Sequence, residues 1–211
     1  MKALFCKQAR LAAHPMTYAF VFFGCMLLIP NYPYTVAFFY VTLGIFFMYQ
    51  KTREMRDADF SALLPVRKRD TVLAGILFSL LLELASLVIA VPFAFLSVKL
   101  SAGNGNAAGL DPNLSLFAFG FLLFSVFNLI FFPSFYKNGY KVGFSFLKAA
   151  AGVFAVVLCD VILPYIPPFA WIDGTDYLRQ LPLLAAGILI FALSTVFVCK
   201  RSAALYEKVD L

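Results

Sequence analysis

The chain has 211 residues, of which 63% are hydrophobic and only 13% charged, with a mean hydropathy of +0.89. Soluble domains carry roughly 25% charged residues, so a water-soluble fold is excluded, and membrane spans of about 20 residues each leave no room for a soluble catalytic domain. The net charge of +6 is spread over several short segments rather than gathered into one stripe, which argues against nucleic acid as a partner.

In chain order, the sequence predicts an all-α polytopic membrane protein, a single transmembrane domain over residues 1–211. Its six spans lie at about 16–30, 34–49, 71–97, 114–136, 146–166 and 180–199. Residues 1–15 precede the first span. There Lys7 and Arg10 share one helix face and Phe5, Ala9 and Ala12 the other, the pattern of a short interfacial helix. The alternative is an early extension of the first span, and His14-Pro15 favours a break. His14 is the only histidine, so it is expected to end a helix rather than to hold a metal. No small-residue cleavage site follows, and the segment is expected to be retained.

The connector Pro30-Asn31-Tyr32-Pro33-Tyr34 reads as a tight turn with aromatic interface anchors. The third span is long enough to tilt or to kink at Pro92, and a flexible glycine-rich loop follows over 101–109. The last connector, with Pro164, Pro167, Pro168, Trp171, Asp173 and Asp176, reads as a structured interfacial excursion.

Orientation follows from charge. Lys2, Lys7, Arg10, Lys51, Arg53, Arg56, Arg67, Lys68, Arg69, Lys137, Lys141, Lys148, Lys200, Arg201 and Lys208 fall on one side, and only Lys99 and Arg179 on the other. The positive-inside rule then places both termini in the cytosol.

Inside the spans, Glu83 and Asp160 are expensive unless protonated, paired or facing water. They are candidates for a substrate path; the other reading is a hydrogen bond to a neighbouring helix or across a dimer interface. Asn128, near Pro133, is expected to serve interhelical packing. The 26 phenylalanines could line an apolar cavity, but lipid-facing positions are their commoner use. Cys6, Cys25, Cys159 and Cys199 show no metal spacing and no disulfide framework. There is no phosphate-binding glycine loop, no His-Glu-x-x-His and no Gly-x-Ser-x-Gly. The chain is therefore not expected to be an enzyme or to hold a cofactor, and its energy must come from a partner.

The loop at 50–70 has a character of its own. Glu54, Asp57 and Asp59 alternate with Lys51, Arg53 and Arg56, an arrangement that would give close opposite-charge pairs on a helix. An apolar cluster of Phe60, Ala62, Leu63, Leu64 and Val66 follows, and Pro65 ends any helix just before Arg67, Lys68 and Arg69. A patch too small for a core of its own needs a partner surface or the membrane interface.

The run Asp59-Phe60-Ser61-Ala62-Leu63-Leu64-Pro65-Val66-Arg67-Lys68 resembles the first cytosolic loop of permease subunits of exporter-type ABC transporters. The layout is similar to that of the ABC type-2 superfamily, and in particular to its small bacterial branch of peptide exporters. Many relatives carry a hydroxyl residue after the Leu-Pro-Val step, where this chain has Arg67. The resemblance implies a cytosolic coupling loop between the second and third spans that docks on a separate ATPase subunit, present in two copies. Glu54, Asp57, Asp59, Phe60, Leu63, Leu64, Pro65, Val66, Arg67 and Lys68 would transmit its closure to the spans.

The same resemblance implies that ATP and Mg are bound by that partner. It also implies a second permease subunit, as a homodimer or heterodimer around the substrate path, in a bacterial cytoplasmic membrane. The cargo would be an amphipathic or antimicrobial peptide or a lipid-like molecule. Two alternatives of another kind are a six-span capture component of a vitamin importer and a non-transporting scaffold or immunity protein.

Overall fold

The structure, a computed structural model, describes residues 2–63, 65–100, 106–137, 141–174 and 176–209, with the backbone alone at Lys2, Ala58, Asp59 and Ala62. Its regular elements are all helical among the described residues. Helix α1 (Lys2–Lys7) widens into a π turn at Gln8–Ala12 and stops where Ala13 turns extended at φ −61 and ψ 128. His14 then caps the next helix, its Nδ1 accepting the Met16 N–H at 3.2 Å, with Pro15 in the opening turn. The chain bends here by 96°, at the His14-Pro15 step expected from the sequence. The Tyr18 hydroxyl donates to the Ala9 carbonyl at 2.6 Å across the bend.

Helix α2 (Pro15–Val21) runs on as a 3₁₀ segment, Phe22–Leu28. A 3₁₀ helix rises about 2.0 Å per residue against about 1.5 Å for an α-helix, so this short stretch reaches about 25 Å. Gly24 allows it to lie directly on the later helix Lys68–Leu100, since a Cβ there would come within 2.9 Å of Ala90 Cα. Five further helices follow: α3 (Thr35–Glu54), α4 (Asp57–Ala62), α5 (Lys68–Leu100), α6 (Leu114–Lys137) and α7 (Val142–Ile162). Two 3₁₀ pieces, Leu163–Tyr165 and Pro167–Asp173, lead into α8 (Tyr177–Glu207).

Helix α6 is the centre of the bundle, packed against α3, α5, α7 and α8. Phe124, Phe127, Phe131 and Phe135 recur at helical spacing and are buried with Phe132. Tyr49 of α3 meets Phe131, Phe132 and Phe135 edge-on at 5.4, 5.7 and 4.9 Å. This set of aromatic side chains builds the core, neither the apolar cavity nor the lipid contact weighed from the sequence. On the opposite side of α6, Gly187 of α8 crosses Ala118 so closely that a Cβ would stand 3.0 Å from its carbonyl oxygen.

Four helical stretches are long and apolar enough to cross a membrane: Lys68–Leu100, Leu114–Lys137, Val142–Tyr165 and Tyr177–Glu207. The bent pair at the N-terminus makes a fifth if counted as one span. Helix α3 is 20 residues long but ends in Gln50-Lys51-Thr52-Arg53-Glu54, which dilutes its hydropathy. Several helices overrun the expected spans: α3 continues past residue 49 to Glu54, and α8 past residue 199 to Glu207. No glycine or proline stops either one at the point where it turns polar.

Candidate functional site

Two ends of the bundle can be told apart by what is bonded to what. At one end, the N-terminal helix, α4 and the C-terminus come together. Lys7 pairs with Asp57 at 2.5 Å and donates to Ser61 Oγ at 2.7 Å, and its ammonium lies 5.9 Å from the centre of the Phe60 ring. Lys51 donates to the Ala13 carbonyl at 3.2 Å, and Lys68 to the Val209 carbonyl at 2.8 Å.

The 50–70 loop is more helical than its label suggests. Helix α3 extends to Glu54, whose Oε1 accepts from Gln50 Nε2 at 3.1 Å. The chain then turns at Arg56, which adopts the left-handed conformation at φ 49 and ψ 42. That conformation costs a non-glycine residue roughly 1–2 kcal/mol and separates α3 from α4. Helix α4 shows one face to the N-terminal helix through Asp57 and the buried Ser61. Its other side leaves Phe60 56% and Leu63 86% exposed, with Met55 at the turn 56% exposed. Pro65 and Arg67 are also exposed, while Val66 and Lys68 are half-buried. Leu64 and the Asp59 side chain lie outside the described residues.

Of the expected apolar cluster, the structure leaves Phe60 and Leu63 exposed and Val66 half-buried, and the side chains of Ala62 and Leu64 lie outside the described residues. It also changes the charge pairing: Asp57 reaches across to Lys7 instead of along its own helix. Sequence reasoning placed Lys7 on the polar face of an interfacial helix and did not foresee its partner 50 residues on. The available signal was that Lys7 lies three residues from Arg10 on a helix whose opposite face is apolar; nothing local names Asp57.

Behind this surface is a polar junction inside the bundle. Helix α5 carries Gly75, where a Cβ would stand 3.0 Å from the Tyr49 hydroxyl and 3.1 Å from that of Tyr136, with Gln8 Nε2 at 3.8 Å. The two hydroxyls are 3.4 Å apart, and Gln8 is buried although polar. A small cleft joins Gln8 and Asp57 to Tyr49, Tyr136 and Tyr206. The N-terminal helix, α3, α4, α5, α6 and α8 thus meet at one point.

Glu83 and Asp160 stand elsewhere, and apart from each other. Glu83 of α5 is fully buried, and its Oε2 accepts from Asn128 Nδ2 of α6 at 2.9 Å. Asp160 of α7 is equally buried, and its Oδ2 accepts from Thr35 Oγ1 of α3 at 2.8 Å. Each ties two helices together, Asn128 in the packing role expected of it. Oε1 of Glu83 and Oδ1 of Asp160 have no hydrogen-bond partner among the described residues.

The far end is stitched by short polar side chains. Asn106 Nδ2 donates to the Tyr32 carbonyl at 2.8 Å, the Asp111 N–H to Asp173 Oδ1 at 2.6 Å, and Asn113 Nδ2 to the Ile172 carbonyl at 3.1 Å. Burial, helped by repulsion from Asp111, holds the Asp173 carboxyl up at about 6 despite the Asp111 N–H it accepts. Residues 101–105 of the expected flexible loop lie outside the described residues.

A family model for ABC-2 family transporter proteins matches residues 3–201. The chain belongs to this family. It is therefore a multi-pass transporter membrane protein, and family membership implies association with an ABC ATPase. No curated protein and no solved structure matches it. The match covers the whole of the α3–α4 turn, α4 and the start of α5.

Proposed function

We propose that the chain is the permease subunit of an ATP-driven exporter in a bacterial cytoplasmic membrane, folded as one transmembrane domain with six spans and both termini cytosolic. The bent N-terminal pair and α3 supply the first two spans. The stretched 3₁₀ segment supports the first, and the packing of α3 against α2, α5, α6 and α7 supports the second. Two such subunits, identical or different, face each other around the path, and two ATPase subunits bind ATP and Mg. The cargo is an amphipathic or antimicrobial peptide or a lipid-like molecule.

One observation carries this reading. Phe60 and Leu63 are exposed on a short helix that hangs from a left-handed hinge and is anchored to the N-terminal helix by Lys7. Glu54 to Lys68 form the contact with the ATPase. A push on α4 reaches Lys7, then neighbouring Gln8, and so the tyrosine junction where α3, α5, α6 and α8 meet. Glu83 and Asp160 enter the proposal as interhelical hydrogen-bond partners, the second of their two readings from the sequence, because each is spent on a neighbouring helix.

The test is a mild-detergent pull-down of the tagged chain from its native membrane, with mass spectrometry of co-purifying subunits and an ATPase assay. A near-equimolar ATP-binding protein, lost with Phe60→Asp or Leu63→Asp while membrane insertion persists, is the expected result. A clean preparation without one would overturn the exporter reading in favour of a capture component or a scaffold.

A further inference from the structure

A groove of about 440 Å³ runs between α5, α6 and α8, well away from α4. This volume falls within the range of small-molecule sites, about 300–1,000 Å³. Its polarity is graded along its length. At the end nearest the connectors it meets Lys99, Asn113 and Tyr177; midway come Val91, Phe95 and Phe117; Leu87, Phe121 and Ile188 close the other end.

Lys99 is the only charged side chain that lines the groove among the described residues, and no carboxylate faces it there. Asn113 is already spent, donating to the Ile172 carbonyl and accepting the Leu116 N–H. Recognition of a charged head group therefore falls to Lys99, whose flexible stem can lie along apolar surface while the ammonium stays at the polar rim.

We propose that this groove binds one anionic acyl amphiphile, with its head group at Lys99 and its chain along α5 toward Leu87. The length agrees. Lys99 and Leu87 stand about 18 Å apart at about 1.5 Å of rise per residue, the span of an extended chain of about fourteen carbons. The charge agrees as well: a cationic amphiphile would be repelled, and a neutral one would leave the ammonium at the mouth unused. The walls offer an acyl chain apolar contact along its whole length. The site rests on the groove and stands whether or not the exporter reading does.

The experiment uses the full chain, purified in neutral detergent, and hexadecyl phosphate carrying a diazirine in its chain. After photolysis, labelled peptides are mapped by mass spectrometry. The expected result is saturable labelling within residues 87–99 and 114–121, displaced by hexadecyl phosphate and not by hexadecanol. Lys99→Glu should weaken labelling about tenfold, the loss of one charge-assisted contact, and Lys99→Arg should keep it. Val91→Trp, which fills the groove, should abolish labelling while the protein still elutes as a single folded species.

Three outcomes overturn the proposal. Labelling spread evenly over all the apolar helix faces would make the occupant ordinary bilayer lipid. Equal displacement by hexadecanol would remove head-group recognition. Absence of labelling, with Val91→Cys cross-linking two copies, would make the groove a subunit contact.

Discussion

At the basic end of the bundle, three lysines each cross from one element to another: Lys7 to α4, Lys51 to the break after the N-terminal helix, and Lys68 to the C-terminus. At the far end the links are short, from Asn106, Asp111, Asn113 and Asp173, and each has a backbone group on one side. A long lysine stem tolerates displacement of its partner, whereas an asparagine bonded to a fixed carbonyl does not. The far end is thereby built as a rigid cap, and the basic end as a set of adjustable ties around a helix with a left-handed hinge. Motion driven from outside the membrane would enter where the ties can stretch.

The sharpest break of that contrast is Asn113→Ala. Asn113 precedes α6, accepts the Leu116 N–H at 3.1 Å as its N-cap, and also ties the cap to Ile172. Loss of a cap and of a buried hydrogen bond together should cost about 3 kcal/mol, read as a clear fall in melting temperature in detergent. A change too small to measure would mean that the far end is not held by these bonds. Lys7→Met should cost less stability, about 1.5 kcal/mol from a charge-assisted pair whose side chains are mostly buried. Its larger effect should be functional: ATP-dependent transport falls while ATPase subunits still bind. A double-mutant cycle with Asp57→Asn checks the pairing, since independent effects of the two changes would rule out a direct tie.

Much of this architecture could be read from the sequence, because it depends on local pattern. The break at His14-Pro15, the apolar stretches behind α5, α6, α7 and α8 and the proline-rich segment before α8 each announce themselves in local pattern. The exposed Phe60 and Leu63 were also legible, since an apolar cluster between charges and a proline has no core to join. What could not be read was long-range. The pairing of Lys7 with Asp57 and of Glu83 with Asn128 depends on how helices dock, and charge or polarity alone left each residue several possible partners. The 3₁₀ segment Phe22–Leu28 was hidden as well: it lies where Gly24 comes close to Ala90, a contact that no local pattern announces.

A smaller effect is expected from pH, and at the far end. The Asp173 carboxyl stands at about 6 in the fold, above its usual 3.8, chiefly because it is buried and secondly because Asp111 repels its charge. The folded state thus favours its protonated form. Its contribution is complete below the ordinary carboxylate range and is lost as pH rises through about 6. Amide exchange in residues 106–113, corrected for the intrinsic rate, should therefore quicken as pH climbs from about 5 to about 7. Asp173→Asn should flatten that rise. If the wild-type profile is already flat, Asp173 does not govern the cap.

The smallest effect belongs to Lys68, and it separates a tie from a support. Its bond to the Val209 carbonyl joins the start of α5 to the short segment that follows α8. A partly exposed contact of this kind contributes on the order of 0.5 kcal/mol. Lys68→Met should leave the melting temperature unchanged and raise amide exchange only in the last turn of α8 and in Lys208 and Val209. The same substitution should leave the Lys7–Asp57 tie intact, because the two lysines hold different elements. A general loosening of α4 together with the C-terminus would instead mean that the three lysines act as one network, and that the basic end moves as a single body.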